Sequence, residues 1–258
     1  MVAHLATCQI LSGVCVLLAI EHMFDMMECP TTETSLGIDG VTSAGFAADI
    51  ASLLPVQYTR EEGFLHLQPG RVTELIGVPG TGLTRLGLKL LAEPSRVAPV
   101  VALDTRGWIS PEAAWETGVL AERLVIVRCD DLILWPKVTA ALLEGVRAVY
   151  AEVPARIKDY DLRRLTALAR ARKVAVVMRS MGNGLPTGVA HLRLRALGVT
   201  WEGVDRGHGR LKKRRLVLEA SGKGAAGVTR RFEVEDEGTD VMRVVSNVVV
   251  DQARRPVG

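Results

Sequence analysis

Gly77-Val78-Pro79-Gly80-Thr81-Gly82-Leu83-Thr84 is the stretch on which the reading of this chain turns. It keeps the frame G-x-x-x-x-G-K-[ST] of a phosphate-binding loop, with Leu83 at the lysine position. A strand-like run, Arg71 to Ile76, leads into it, and a helix-like run, Leu83 to Leu91, leads out. That strand–turn–helix context is what the motif requires. In a working loop, backbone N–H groups wrap the phosphates and lysine neutralises the β and γ oxygens. Leucine cannot supply that charge, so the stretch reads as the scaffold of an ATP site without its chemistry.

Outward from the loop, helix and strand alternate. Pro99–Leu103 reads as a short buried strand ending at Asp104, and Pro111–Gly118 as a helix with Ser110 as cap. Arg123–Cys129, Val146–Val153 and Val174–Met178 read as strands, with helices at Leu134–Gly145 and Asp159–Arg172 between them. Apolar strands separated by crossover helices predict a parallel sheet covered on both faces. After Gly188 the period changes to two. His191–Arg195, Leu216–Glu219 and Arg230–Val234 read as antiparallel strands that extend the parallel core. The apolar run Val244–Val250 is expected to be a last strand. The division expected is an N-terminal extension and linker over 1–42, a core domain over 43–235 and a tail over 236–258.

The termini carry less signal. Leu5–Ile20 is apolar but contains Thr7, Gln9 and Ser12, is short for a membrane span and lacks a basic leader region. A docked helix is the expectation, with Met23, Met26 and Met27 as alternative starts. Ser43–Leu54 has helical spacing of Phe46, Ile50 and Leu53, and Cys29–Val41 reads as a linker. The 258 residues carry 32 Lys and Arg against 29 Asp and Glu, a net charge of +3 that is too small to identify a partner. Four cysteines without a C-x-x-C exclude a disulfide framework or a zinc site as a reading, and a reduced cytoplasm fits them.

The order of these elements resembles the RecA-like recombinase core and, within it, the ImuA group, also called SulA-like. Gly70–Gly77 resembles the strand that meets the phosphate loop, and Leu103-Asp104-Thr105-Arg106-Gly107 the segment carrying the family's catalytic glutamate. Ile109–Leu120 looks like the helix that follows, and Ala148-Val149-Tyr150-Ala151-Glu152 like the Walker B strand. The resemblance covers about Arg71–Ala220. It implies an α/β fold: a RecA-like, mostly parallel twisted sheet flanked by helices, with an antiparallel C-terminal extension.

The departures from the family carry the functional expectation. Leu83 replaces the phosphate lysine, Arg106 the catalytic carboxylate, Glu152 the Walker B aspartate, and Arg179-Ser180 the polar pair that senses the γ-phosphate. Phosphoryl transfer needs cation, metal and oriented water together, so no catalytic residue is assigned and no metal site is expected. Gly77, Gly80, Thr81, Gly82 and Thr84 remain as a degenerate nucleotide-binding set, sufficient for weak ATP and magnesium binding at most, with no other cofactor. The basic run Arg206-Gly207-His208-Gly209-Arg210-Leu211-Lys212-Lys213-Arg214-Arg215 reads as a loop meeting a strand. Arg206, Arg210, Lys212, Lys213, Arg214 and Arg215 are its candidate DNA contacts, salt-sensitive and sequence-independent. The alternative is a solvated charge run. The family's DNA-holding loops correspond to Pro154–Tyr160 and Met181–Val189, the second of which is uncharged. Trp108 and Trp115 read as packing residues, and Trp135 and Trp201 as caps on hydrophobic edges.

What the resemblance implies is a non-catalytic accessory role in damage-induced mutagenesis. The partners would be an ImuB-type Y-family polymerase-like protein and an error-prone replicative-type DNA polymerase in translesion synthesis. DNA and RecA are further candidate partners, and a membrane is not. An enzyme class competes with this: a DNA-stimulated ATPase in which Arg85, Lys89 or Arg106 replaces the missing lysine. A cell-division inhibitor is a third reading, resting on the SulA-like label alone.

Overall fold

The parallel core assembles because four strands, β3 (Val72–Ile76), β4 (Val100–Asp104), β6 (Ala148–Val153) and β7 (Ala175–Ser180), are buried along their whole length. Only helices on both faces can cover such strands. A computed structural model describes residues 8–11, 14–18, 62–203, 213–237 and 242–249. The helix expected at Ser43–Leu54, the linker at Cys29–Val41, and Arg206, Arg210 and Lys212 lie outside the described residues.

The remaining strands are β1 (Cys8–Leu11), β2 (Val14–Leu18), β5 (Leu124–Arg128), β8 (Leu192–Glu202), β9 (Lys213–Ser221), β10 (Arg230–Asp236) and β11 (Met242–Val249). The sheet runs β1-β2-β5-β4-β6-β7-β3-β8-β9-β10-β11. The stretch from β5 to β8 is parallel, and both flanks are antiparallel. The helices are α1 (Leu83–Lys89), α2 (Ala92–Ser95), α3 (Pro111–Trp115), α4 (Trp135–Gly145) and α5 (Asp159–Arg172). Under α1, Leu75, Leu86, Tyr150, Val177 and Leu194 form one core; on the other face Leu103, Val149, Met178, Trp135 and Leu165 form the second.

The chain thus has the mostly parallel sheet and antiparallel extension read from its sequence, and the run at Val244–Val250 lies mostly within β11, paired with β10. The N-terminal segment differs from expectation. Instead of a docked helix, residues 8–11 and 14–18 form a hairpin whose second strand pairs with β5. The physical reason is local: the β-branched Val14 and Val16 favour a pleated strand. No helix among the described residues is long and apolar enough to cross a membrane.

Candidate functional site

The loop keeps its shape. Gly80 and Gly82 take positive φ values of 85° and 78°, which side chains other than glycine rarely adopt. Thr81 is buried and donates its hydroxyl to Val78 O at 2.8 Å, closing the turn on itself. Leu83 does more than remove a charge. It is 1 % exposed, and a Cβ built on Gly77 would stand 3.0 Å from Leu83 Cδ1 and 2.9 Å from Ala196 Cβ. The lysine position is therefore part of the apolar core between the loop and β8. Thr84 lies beside Tyr150, whose ring fills the space left by Gly87 of α1; a Cβ there would be 2.2 Å from Tyr150 Cε2. Burial, followed by the field of Glu152, pushes the Tyr150 hydroxyl far above its usual range.

At the carboxyl ends of β4 and β6, Arg106 and Glu152 meet. Arg106 Nε donates to Glu152 Oε2 at 3.1 Å, and Arg106 Nη2 to Glu152 Oε1, a two-point pairing with a carboxylate that has no exposed surface. The Glu152 hydrogen bonds raise the pKa of Arg106 further. Even the Glu152 carbonyl is engaged, by Thr105 Oγ1 at 2.8 Å and Trp135 Nε1 at 3.0 Å. Asp104, next along, accepts from the backbone N–H groups of Arg106, Gly107 and Ile109 at 3.1, 2.8 and 2.8 Å. It holds the turn that aims Arg106. Beside Glu152 in register is Arg179, 4 % exposed, with Nε and Nη1 lacking any hydrogen-bond partner. No group of three or more His, Cys, Asp or Glu among the described residues has the geometry to hold a metal.

The cations that could stand in for lysine are already committed. Arg85 donates to Asp236 at 2.9 Å and Glu116 at 3.3 Å, and Lys89 to Thr117 O at 3.1 Å. From the described end of the basic run, Arg214 reaches the loop: a Cβ on Gly82 would lie 1.7 Å from its Nη1. Arg214 is buried, stacks 5.7 Å from the Trp201 ring centroid and pairs with Asp236 at 2.5 Å. Burial lowers its pKa and Asp236 opposes that loss.

This corrects the expected placement of the candidate DNA contacts. Lys213, Arg214 and Arg215 lie in β9 and not in a loop, and β10 sets acids opposite them. Lys213 pairs with Glu235 at 3.1 Å, and Arg215 with Glu235 at 3.2 Å and Glu202 at 3.5 Å. Of the tryptophans, Trp115 packs on the core as expected. Trp108 is 73 % exposed, with the Arg106 guanidinium 4.5 Å from its ring centroid. Trp135 is a fully buried core residue and not an edge cap.

Among known proteins, a family model described as MT3502 N-terminal domain matches residues 65–183. No curated protein matches. A solved structure, described as the crystal structure of the RadB recombinase, aligns over 70 % of this chain and 93 % of that one, at 19 % identity and a TM-score of 0.49. The phosphate loop sits on a central strand of a mostly parallel, helix-covered sheet that continues into antiparallel strands.

The fold is α/β, a mixed sheet with a parallel centre.

Within this sheet, one buried pair was not read from the sequence. Glu74 of β3, with no exposed surface, accepts from Arg193 Nε at 2.5 Å and from Leu185 N at 2.6 Å, and Arg193 Nη2 donates to Leu185 O at 2.9 Å. The uncharged loop after β7 is thereby fastened to the strand that feeds the phosphate loop. A charge in the middle of an otherwise apolar strand was the available signal, because such a residue must find a partner.

Proposed function

We propose that this protein is a non-catalytic RecA-like accessory factor of damage-induced mutagenesis. It would serve as a platform for an ImuB-type Y-family protein and an error-prone polymerase in translesion synthesis. The observation that carries the non-catalytic part is the Arg106–Glu152 pair. A magnesium-bound triphosphate needs a carboxylate free to face the metal and a second to orient water. Here Glu152 gives both oxygens to the guanidinium that stands at the water-orienting position, and Leu83 is sealed in the core. The residues as placed do not fit the metal–nucleotide pair, so no step of hydrolysis is assigned to them. The named partners rest on the family resemblance. The retained RecA-like scaffold, whose cations and acids neutralise one another at the old site, supports a role in holding other molecules.

The test is ATP turnover by the full chain, with and without single-stranded DNA, beside the variant Leu83→Lys. The expected result is no DNA-stimulated phosphate release from either, since Leu83→Lys restores one part and leaves Arg106 on Glu152. Turnover by the unaltered protein would remove this reading in favour of the DNA-stimulated ATPase.

A further inference from the structure

The end of the sheet opposite the phosphate loop gathers cations from several separate elements. Backbone hydrogen bonds fix their order along the edge. Ala175 N donates to Arg147 O at 3.0 Å, Val176 N to Arg71 O at 2.9 Å, His191 N to Val72 O at 2.8 Å and Gly224 N to His191 O at 2.8 Å. Gly70 packs on the end of α5, where its Cβ would stand 3.4 Å from Arg170 Cα and 3.6 Å from Lys173 Cα. Arg147, Lys173, Arg170, Arg71 and Lys223 therefore follow one another across the starts of β6, β7, β3 and β8 and the turn after β9. All five are exposed.

None of these five makes an ion pair with a described acid; of the carboxylates nearby, Glu144 is taken by Arg172 at 2.6 Å and Glu93 by His66 at 2.7 Å. That contrasts with β9, where every described cation of the run has an acid in register. A small cavity of about 130 Å³ opens between Gln68, Arg71, His191 and Gly224. The field is felt inside it: burial first, then Arg71, Lys223 and Arg170, lower the pKa of His191. The macrodipoles of α4 and α5 favour the cations beside their carboxyl ends, and Lys223 comes from the turn after β9.

We propose that this amino-terminal edge of the sheet binds the phosphate backbone of DNA. Adjacent strands are about 4.8 Å apart, so the edge from β6 to β9 spans about 19 Å. One strand of a duplex presents phosphates about every 3.4 Å along the axis, enough to meet all five cations. Aromatic side chains are missing from the set, so contact is to phosphates and without sequence preference. The surface is separate from the phosphate loop, and rests on the proposed role only in the choice of DNA as probe.

The experiment is fluorescence anisotropy of the full chain with a labelled 30-nucleotide single strand and its 30-base-pair duplex, from 50 to 200 mM NaCl. The test variant carries Arg71→Gln, Arg170→Gln, Lys173→Gln and Lys223→Gln; the control carries Arg206→Gln, Arg210→Gln and Lys212→Gln. Circular dichroism melting shows that each remains folded, and Lys223→Gln alone, in an exposed turn, gives a second measure if the fourfold variant does not. The expected result is a duplex affinity at least tenfold weaker at 50 mM NaCl for the test variant. Its slope of log affinity against log salt should be shallower by about 3.6, four lost phosphate contacts at about 0.9 each. Lys223→Gln should lower the slope by about one. Undiminished affinity of the folded variants overturns the proposal. So does a loss confined to the control, or binding by the unaltered protein to vesicles of anionic lipid and not to DNA.

Discussion

The two ends of the same parallel strands carry their cations in opposite states. Around the phosphate loop four arginines are spent on carboxylates, Arg106 on Glu152, Arg193 on Glu74, Arg85 and Arg214 together on Asp236, while Arg179 stays buried beside Glu152. At the amino end Arg71, Arg147, Arg170, Lys173 and Lys223 face solvent with no described acid in reach. In this chain most cations at the loop end are paired and buried, and those at the opposite end are exposed. Position in a motif and availability of charge are therefore different properties, and only the second predicts who can bind.

The largest effect should come from breaking the closed end. Arg106→Leu leaves a carboxylate buried without its partner, and removing one member of a buried pair costs about 3 kcal/mol or more. The double variant Arg106→Leu, Glu152→Leu should recover most of that loss, since an apolar pair of similar volume needs no compensation. Urea denaturation of the single and double variants measures both. A single variant less than about 1 kcal/mol below the unaltered protein would show that Arg179, next in register, takes over the carboxylate, and that the closed end has a spare cation.

How far the sequence reveals this contrast depends on separation along the chain. The strand–loop–helix around Gly77–Thr84 was legible because its signals are local: buried runs, glycines at fixed offsets and a helical period. Arg106 and Glu152 were legible one at a time, but their pairing crosses 46 residues and depends on β4 lying beside β6. The basic run misled for the same reason. Lys213-Arg214-Arg215 looks free in one dimension, while β10 supplies Glu235 and Asp236 in antiparallel register. Alternating acids in Arg230–Asp236 were the visible hint. The amino-end cations left no local trace at all, since each comes from a different element and only the strand order brings them together.

An intermediate effect should appear on acidification, and it separates neutralised from free cations. Glu235 lies under Arg243, Lys213 and Arg215, whose hydrogen bonds hold its carboxyl down at about 2, against an ordinary value of 4.5. A depressed carboxylate contributes stability that is complete above its unfolded pKa and fades as pH falls through the folded one. The protein should therefore lose stability between about pH 4.5 and pH 2, and Glu235→Gln should flatten that part of the profile while lowering stability at pH 7. Thermal melts at half-unit pH steps give the comparison. Parallel profiles for the two proteins would mean that the β9 cations find other acids and are less fully consumed than the register implies.

The smallest effect is expected at the open end, and its sign is the informative part. A surface residue outside any network changes stability by less than about 0.5 kcal/mol. Arg71 has like charges for neighbours, so Arg71→Gln should leave the fold equal or slightly more stable at 20 mM NaCl. Any gain should vanish at 500 mM, where the Debye length falls to a few ångströms. A loss of more than about 1 kcal/mol at low salt would instead reveal a carboxylate partner and make this end as closed as the other. His191 gives an independent gauge of the same field. Burial and then Arg71 lead the causes that depress its pKa. Removing the Arg71 charge should raise that pKa towards the usual histidine value without restoring it, because burial persists. Proton NMR titration of the His191 ring in Arg71→Gln measures this shift, and an unmoved pKa would mean that the cations at this end do not act on a common point.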